Sequence, residues 1–367
     1  MKILEKIAQI KDPRMQGKIQ YSLESILFAT LCAVISGAQS FEDIKDYWAT
    51  KKSWLDHYAP TDSIPSSDTI RRVFTLLEPS CLEQLLISHA REVVSKGKVC
   101  DQICLDGKVL KGSFDQSRKA LCSLSAFCPF NQVVLSEKQV SRGKAEMSSL
   151  PALLEILDLK GRTVTVDAAG AYQPIIENIR EKKAEYVIGL KANQPKAYKA
   201  ARTHFEGLEN QMDYKIADGF DESHGRLVRR RYFAFPVKKI EQVQGFSGIK
   251  SIIAALTISS FDKDLPRKIK AHWRYYLSSH KHTNVKLAEY IRSHWSIENS
   301  LHWVLDVHLK KDDNLKKHVQ TVRYFALLKR IVLNLVRANG FEKKISLRRQ
   351  LNKASWNNDY LLSLLGT

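Results

Sequence analysis

Between Cys100 and Leu190 the apolar residues fall into short, strand-length runs, and their order restricts the fold more than any other feature of the chain. Ile103 to Val109, Ala120 to Phe127 and Gln132 to Val140 are three successive strand candidates, separated by Gly, Ser, Asn and Pro positions. A helix is expected from Glu146 to Leu157, with Leu150, Leu153, Leu154 and Leu157 on one face. The strand Thr163 to Val166, a helix from Gln173 to Lys183 and the strand Tyr186 to Leu190 follow. Three strands, then helix, strand, helix, strand, is an α/β layout with parallel pairing at its centre.

The flanking segments have a different texture. Residues up to about Lys96 read as helical, with one apolar helix from Ser22 to Ile35, a mixed-face helix from Phe41 to Tyr58 and another from Cys81 to Val94. In SIPSSDTIRRVFTLL, Pro65 stops what precedes it and Ser66 or Ser67 caps a helix that begins near Asp68. That helix presents Thr69, Arg71 and Arg72, and two readings stay open: the second helix of a helix-turn-helix, or an ordinary capped helix in a bundle. Gln194 to about Lys281 reads as a β-rich insertion of polar loops with strands at Leu227 to Phe235, Ser251 to Ile258 and Arg274 to Leu277. Long helical patterns then run from Asn284 to Val307 and from Val319 to Ala338. The expected organisation is a helical N-terminal domain (1–96), a core at 97–340 interrupted at about 200–281, and a basic tail at 341–367.

Charge narrows the class of partner. The excess of 58 Lys and Arg over 39 Asp and Glu gives a formal charge of +19, a field that attracts polyanions, above all nucleic acid. The longest apolar run, Ile26 to Ile35, is too short for a membrane span of about 20 residues, so no membrane partner is expected. MKILEKIAQIKDPR lacks the features of a secretory signal. The six cysteines form no CxxC pair, and reduced thiols in a cytosolic protein are the economical reading.

Three isolated acids carry the chemistry. Asp106 in CLDGKVLKGS and Asp167 in GRTVTVDAAG lie at strand-like runs, whereas Glu298 lies in the amphipathic helical pattern RSHWSIENSLHW. Phosphodiester chemistry by two metals needs carboxylates that hold two Mg²⁺ ions about 3.5–4 Å apart. Mg²⁺ keeps several waters, so a few oxygen ligands suffice. Ligands of open α/β sheets gather outside the carboxyl ends of strands, where Asp167 sits. By spacing alone the trio is weak, since Asp167 could cap its turn and Asp106 could be a solvated strand-end acid. A zinc site of HExxH type is absent. Trp295, Leu301 and Leu305 are expected to pack inward while His294 and His302 flank the acid. The apolar positions of Val322 to Val336 mean core packing. Arg323, Lys329, Arg330 and Arg337 on the same helix read as a solvated face or a DNA-backbone contact. Arg229, Arg230 and Arg231, shown on both faces of a strand, are stronger candidates for phosphate contact.

LDGKVLKGS, VTVDAAGAYQ with GLKANQ downstream, and RSHWSIENSLHWVLDV resemble, in order and spacing, the DDE transposases of bacterial insertion sequences. The nearest branch is that of the H-repeat-associated proteins of Rhs elements. DPRMQGKIQYSLESILFATLCAVISG and IPSSDTIRRVFTLLEP resemble that branch's helical leader. The resemblance implies an RNase H-like core with a β-rich insertion before the last catalytic helix, preceded by an α-helical domain. It makes Asp106, Asp167 and Glu298 the catalytic, metal-binding acids, with Asp167 at the end of the fourth strand beside the first. It sets Lys191, Asn193 and Gln194 in the family's KxNQ run, close to the active face, and His224, Gly225 and Arg226 in an HGR element. DNA contacts are expected at Lys108, Lys111, Lys191, Asn193, Gln194, Arg226, Arg230, Arg292 and His294.

The chain departs from the family pattern around the third acid. Ile291, His294 and Leu305 stand where relatives often carry Tyr, Arg and Lys, so the phosphate-gripping role would pass to His294 or Arg292. Arg142-Gly-Lys144 replaces a KSNE-like run, although Glu146 fits, and Ser67 stands where a histidine is common. The resulting expectation is a bacterial, cytoplasmic and nucleoid-associated DNA transposase, acting as a homodimer on terminal inverted repeats and target DNA. It would use two Mg²⁺ ions per site, with Mn²⁺ able to substitute. The rival readings are a catalytically inactive or domesticated DNA-binding protein and a stand-alone RNase H-like nuclease.

Overall fold

The computed structural model describes residues 2–97, 99–110, 121–141, 144–205, 214–223, 226–261, 270–309, 319–339 and 345–366. The leader forms α1 (Lys2–Ala8), α2 (Leu23–Ile35), α3 (Phe41–Leu55), α4 (Ser67–Leu76) and α5 (Pro79–Lys96). Ser22, Ser40 and Ser66 each accept a bond from the backbone N–H three residues on, which satisfies a donor the helix start leaves open. The core follows as β1 (Gln102–Val109), β2 (Leu121–Cys128), β3 (Val133–Ser141), α6 (Lys144–Glu155), β4 (Thr163–Val166), α7 (Gln173–Glu181) and β5 (Glu185–Leu190). The insertion supplies α8 (Pro195–Phe205), β6 (Lys215–Ser223), β7 (Arg226–Pro236), β8 (Ser251–Phe261) and β9 (Lys270–Ser278). The chain closes with α9 (Leu287–His294), a π-helical turn at Ile297–His302, α10 (Trp303–Val307), α11 (Val319–Asn339), α12 (Leu347–Trp356) and α13 (Asn358–Leu364).

Two expectations need correcting. The insertion holds a fourth strand and a helix: β6 (KIADGFDES) is too polar to show alternation and is held by pairing with β7. The pattern from Asn284 to Val307 is not one helix, because the π-helical turn divides it between α9 and α10. The basic tail carries two short helices. Ser346 caps α12 and Asn357 caps α13, and the two helices bury Leu351, Ala354, Leu361 and Leu364.

The chain divides into two compact units. Unit 1 comprises 1–99, 107–146 and 298–367; unit 2 comprises 100–106 and 147–297. In unit 1, β2 and β3 pair antiparallel, and α11 brings cations to their polar residues. Arg330 and Glu137 form a fully buried ion pair at 2.8 Å. Arg330 also donates to Ser123 Oγ (2.7 Å), and Asn334 bonds both the N–H and the carbonyl of Val134. Lys329 donates to Gln39 and Arg337 to the Gln132 carbonyl. Lys329, Arg330 and Arg337 are therefore structural groups, not the solvated face that helical periodicity suggested.

In unit 2 the strand order is β1-β4-β5-β9-β8-β7-β6. The first three strands run parallel and the rest antiparallel. β4 is next to β1, the neighbour relation that an RNase H-like core requires. The fold is mixed α/β with an α-helical leader and a β-rich insertion.

Candidate active site

The site is written into the alternation of β1 and β4. Gln102, Cys104 and Asp106 alternate with Ile103 and Leu105, while Thr163, Thr165 and Asp167 alternate with Val164 and Val166. The two strands pair in parallel with Gln102↔Thr163, Ile103↔Val164, Cys104↔Thr165 and Leu105↔Val166. One step further, Asp106 and Asp167 occupy matching positions at the carboxyl ends of neighbouring strands. In a parallel pair, matched residues point to the same face, and strands lie about 4.8 Å apart. Two carboxylates are thus placed side by side, Asp106 half-buried and Asp167 exposed.

Helix α9 covers the polar face of these strands. Its buried residues Leu287, Tyr290, Ile291 and His294 follow the 3–4 spacing of an amphipathic helix. Gln102 Nε2 donates to Thr165 Oγ1 (3.1 Å) and to the Tyr290 carbonyl (2.9 Å), and Ser293 Oγ donates to Gln102 Oε1 (2.5 Å). His294 Nδ1 is bonded to Thr165 Oγ1 at 3.0 Å. The strand polar groups and the helix thereby satisfy one another without solvent, which fixes α9 in register with the acids. Burial pushes the His294 imidazole below its ordinary pKa, against the opposing pull of Asp106 and Asp167. The buried ring is engaged inside the protein through its Nδ1 bond to Thr165.

The loop after Asp167 is clamped from below. Asp167 accepts a bond from the Ala169 N–H (3.0 Å). Asn193 Nδ2 donates to the Ala168 carbonyl and Gln194 Nε2 to the Ala171 carbonyl, both at 2.7 Å. These two residues of the KxNQ run act on the loop that carries the acid. Gly189 lies beneath that loop: a Cβ there would come 2.9 Å from the Ala168 nitrogen and 3.3 Å from the Asp167 carbonyl carbon.

Charged residues of the insertion share this face. Asp221 on β6 pairs with Arg230 on β7 and with Arg292 on α9, at 2.8 Å for the latter. The Arg292 guanidinium holds the Asp221 carboxyl below the usual carboxylate range. On the opposite face of β7, Arg229 pairs bidentately with Asp218 (2.9 and 2.7 Å), and Arg231 also reaches Asp218. Trp295 is 46% exposed, contrary to its expected inward packing, whereas Leu301 and Leu305 are buried.

Glu298 is the first residue of unit 1's last segment, lies on the π-helical turn and is exposed. Its carboxylate and an imidazole nitrogen of buried His302 lie within 4.8 Å of each other. Lys108 pairs with Asp306 in the same unit. Lys191 is exposed, and Arg226 opens β7. Lys111, Arg142, His224 and Gly225 lie outside the described residues. Oxygen donors of this kind suit a hard divalent cation such as Mg²⁺. None of the six cysteines is in a disulfide, and no described helix is long and apolar enough to cross a membrane.

The family model for the transposase DDE domain matches residues 101–335, and that for the DDE_Tnp_1-associated region matches residues 4–90. The chain belongs to the DDE transposase family. It is 33% identical to putative protein YbfL of Escherichia coli K12, over 99% of this chain and 97% of that one. It is also 33% identical to the H repeat-associated putative transposase YhhI of the same strain, with the same coverage. Among solved structures it is similar to a piggyBac transposase synaptic complex with hairpin DNA (12% identity, TM-score 0.42, 100% of this chain and 80% of that one).

For a transposase of this family, the departures around the third acid have a packing explanation. Ile291 is 3% exposed and Leu305 fully buried, so both positions serve the core. Among these side chains Arg292 is the exposed cation. Sequence reasoning missed Gln102, Thr165, Ser293 and Gly189. The period-2 polar alternation of QICLD and TVTVD was the available signal for the first two.

Proposed function

We propose that this transposase is catalytically active on DNA: it cleaves a strand at each end of its element and joins the freed 3′-hydroxyl to target DNA. The observation that carries this reading is the matched placement of Asp106 and Asp167 at the carboxyl ends of β1 and β4. Asp106, Asp167 and Glu298 are the proposed ligands of two divalent cations, Mg²⁺ or Mn²⁺. Such ions, when bound, polarise the attacking oxygen and neutralise charge that builds on the phosphate and the leaving oxygen. The chain's own part is positional. Gln102, Ser293 and His294 hold α9 on the sheet, while Asn193 and Gln194 hold the loop that carries Asp167. In both steps one P–O bond forms as another breaks, and the departing 3′-oxygen takes up a proton or becomes the next nucleophile.

Exposed Arg292 and half-buried Arg230 are the proposed grips on backbone phosphates. The leader (1–96) and the insertion (about 200–281) are proposed to recognise the terminal inverted repeats, with a homodimer holding two ends. The test is strand cleavage in Mg²⁺ of a DNA fragment bearing the sequences that flank the gene. Asp106→Asn, Asp167→Asn and Glu298→Gln should each abolish cleavage while retaining DNA binding. Normal cleavage by these variants would defeat the proposal; cleavage without joining would leave a nuclease.

A further inference from the structure

Helix α5 sets three polar side chains along one side. His89, Glu92 and Lys96 follow one another at spacings of three and four residues, the repeat of a single helical face. Lys6 of α1 pairs with one oxygen of the Glu92 carboxylate at 2.9 Å, and Lys96 pairs with the other. These four residues line a cavity of about 830 Å³ inside unit 1. The turn between β2 and β3 (Phe130, Gln132), the end of α11 (Arg337) and the tail (Gln350) complete its wall. Small-molecule sites span roughly 300–1,000 Å³, so this space is of ligand size.

The charges in the wall do not balance. Three cations, Lys6, Lys96 and Arg337, face one carboxylate, Glu92. The carboxyl-terminal ends of α5 and α11 return about half a negative charge each, which leaves a positive surplus of about one charge. Arg337 is the member with no acidic partner: it donates to the carbonyls of Gln132 (2.8 Å) and Ser300, and no carboxylate of the described residues pairs with it. Burial pushes its pKa down to about 10, as expected of a cation held from water without a counter-ion. A guanidinium has five N–H groups, so bonds to two carbonyls leave donors for an oxyanion.

Two other groups in the wall lack partners. His89 is 7% exposed, and its Nε2 has no hydrogen bond among the described residues. The same is true of Gln350 Oε1. Buried polar groups left unmet are destabilising, and an occupant that carries N–H or O–H groups relieves this. Half-exposed Phe130 adds an aromatic ring, and Leu335 and Val336 add apolar surface. An oxyanion, hydrogen-bond donors and a flat, partly apolar body together describe a nucleoside phosphate.

We propose that this cavity binds a nucleoside monophosphate, with Arg337 and Lys96 on the phosphate and His89 and Gln350 bonded to the nucleoside. The occupant would touch the leader, the β2–β3 turn, α11 and the tail at once, and so tie these parts of unit 1 together. It takes no part in the chemistry of the acids. The competing explanations are a site for any small anion and the general attraction of a chain of charge +19 for phosphate.

The experiment is calorimetric titration of the full-length protein with adenosine monophosphate, adenosine and inorganic phosphate, in EDTA to keep divalent cations off the acids. The monophosphate should bind at one site per chain. Adenosine and phosphate should each bind at least about tenfold more weakly, because each lacks half of the contacts. Gln350→Ala should weaken the monophosphate about tenfold, and so should Lys96→Glu, which reverses the charge of a mostly exposed side chain. Asp167→Asn should bind it as the wild type does; loss of binding in that variant would put the nucleotide at the acids and overturn the proposal. No binding by the wild type would overturn it as well. So would phosphate binding as tightly as the monophosphate, or affinity unchanged in both Gln350→Ala and Lys96→Glu.

Discussion

Asp106 and Asp167 stand one residue beyond the last matched pair, Leu105 and Val166, of two neighbouring parallel strands. Two carboxylates held that close repel each other, and a divalent cation between them relieves the repulsion. Mg²⁺ or Ca²⁺ should therefore stabilise the folded protein. At one hundred times its dissociation constant a ligand contributes about 2.7 kcal/mol. For a chain of this size the melting temperature should rise by a few degrees, at roughly 1 °C per kcal/mol. Asp106→Asn and Asp167→Asn should each remove the rise. A metal-induced shift that persists in both variants would place the ion elsewhere.

Gly189 makes a separate test of how the second acid is held. Ala in its place would set a methyl carbon 2.9 Å from the Ala168 nitrogen, a backbone atom that cannot swing aside. Overpacking of this kind costs about 1–3 kcal/mol. The loop relieves it by lifting, which carries Asp167 away from Asp106. Displacements of about 1 Å at a reacting group can cost around 10²-fold in rate. Gly189→Ala should thus lose cleavage far more than stability, with urea unfolding and the cleavage assay read side by side. An active Gly189→Ala variant would show that the loop position is not critical.

Much of this arrangement is legible in the residues alone. The run of three strands and then alternating helix and strand sets the order of the core, and QICLD and TVTVD end at the two acids that β1 and β4 bring together. What escapes such a reading is whatever depends on a partner distant in sequence. Arg330 reads as a surface cation because helical periodicity alone does not reveal that Glu137 and Ser123 wait on β2 and β3. β6 has little apolar alternation of its own and becomes a strand by pairing with β7. Trp295 reads as core by residue type, but the π-helical turn that follows ends α9 and leaves the indole at its exposed end. The motif that holds Asn193 and Gln194 is visible in the sequence, but their carbonyl partners, Ala168 and Ala171, are not.

The Arg330–Glu137 pair gives a stability prediction. Burial pushes the guanidinium below its ordinary pKa, and Glu137 opposes that. Removing one partner leaves a buried, unpaired charge, so Arg330→Met should cost about 3–5 kcal/mol in urea unfolding. The double variant Arg330→Met with Glu137→Gln should recover a large part of the loss, because neither remaining side chain then carries a charge. A single variant as stable as the wild type would show that water reaches the site.

His89 sets an acid limit on unit 1. The imidazole is 7% exposed, and burial pushes its pKa down from 6.5 to about 4, with Lys6 adding to the shift. The folded state holds the ring neutral, so as pH falls below about 6.5 the unfolded chain takes up a proton that the folded chain refuses. The stabilisation is complete above about 6.5 and is lost progressively as pH falls toward 4. A shift of this size amounts to roughly 3 kcal/mol at the acid end. His89→Gln, which does not titrate, should be less stable than the wild type at pH 7.5 and should lose less stability between pH 7.5 and pH 4.5. Parallel denaturation curves at the two pH values measure the difference. Identical pH slopes for wild type and variant would mean that His89 is protonated in the folded protein and that some other group governs its acid stability.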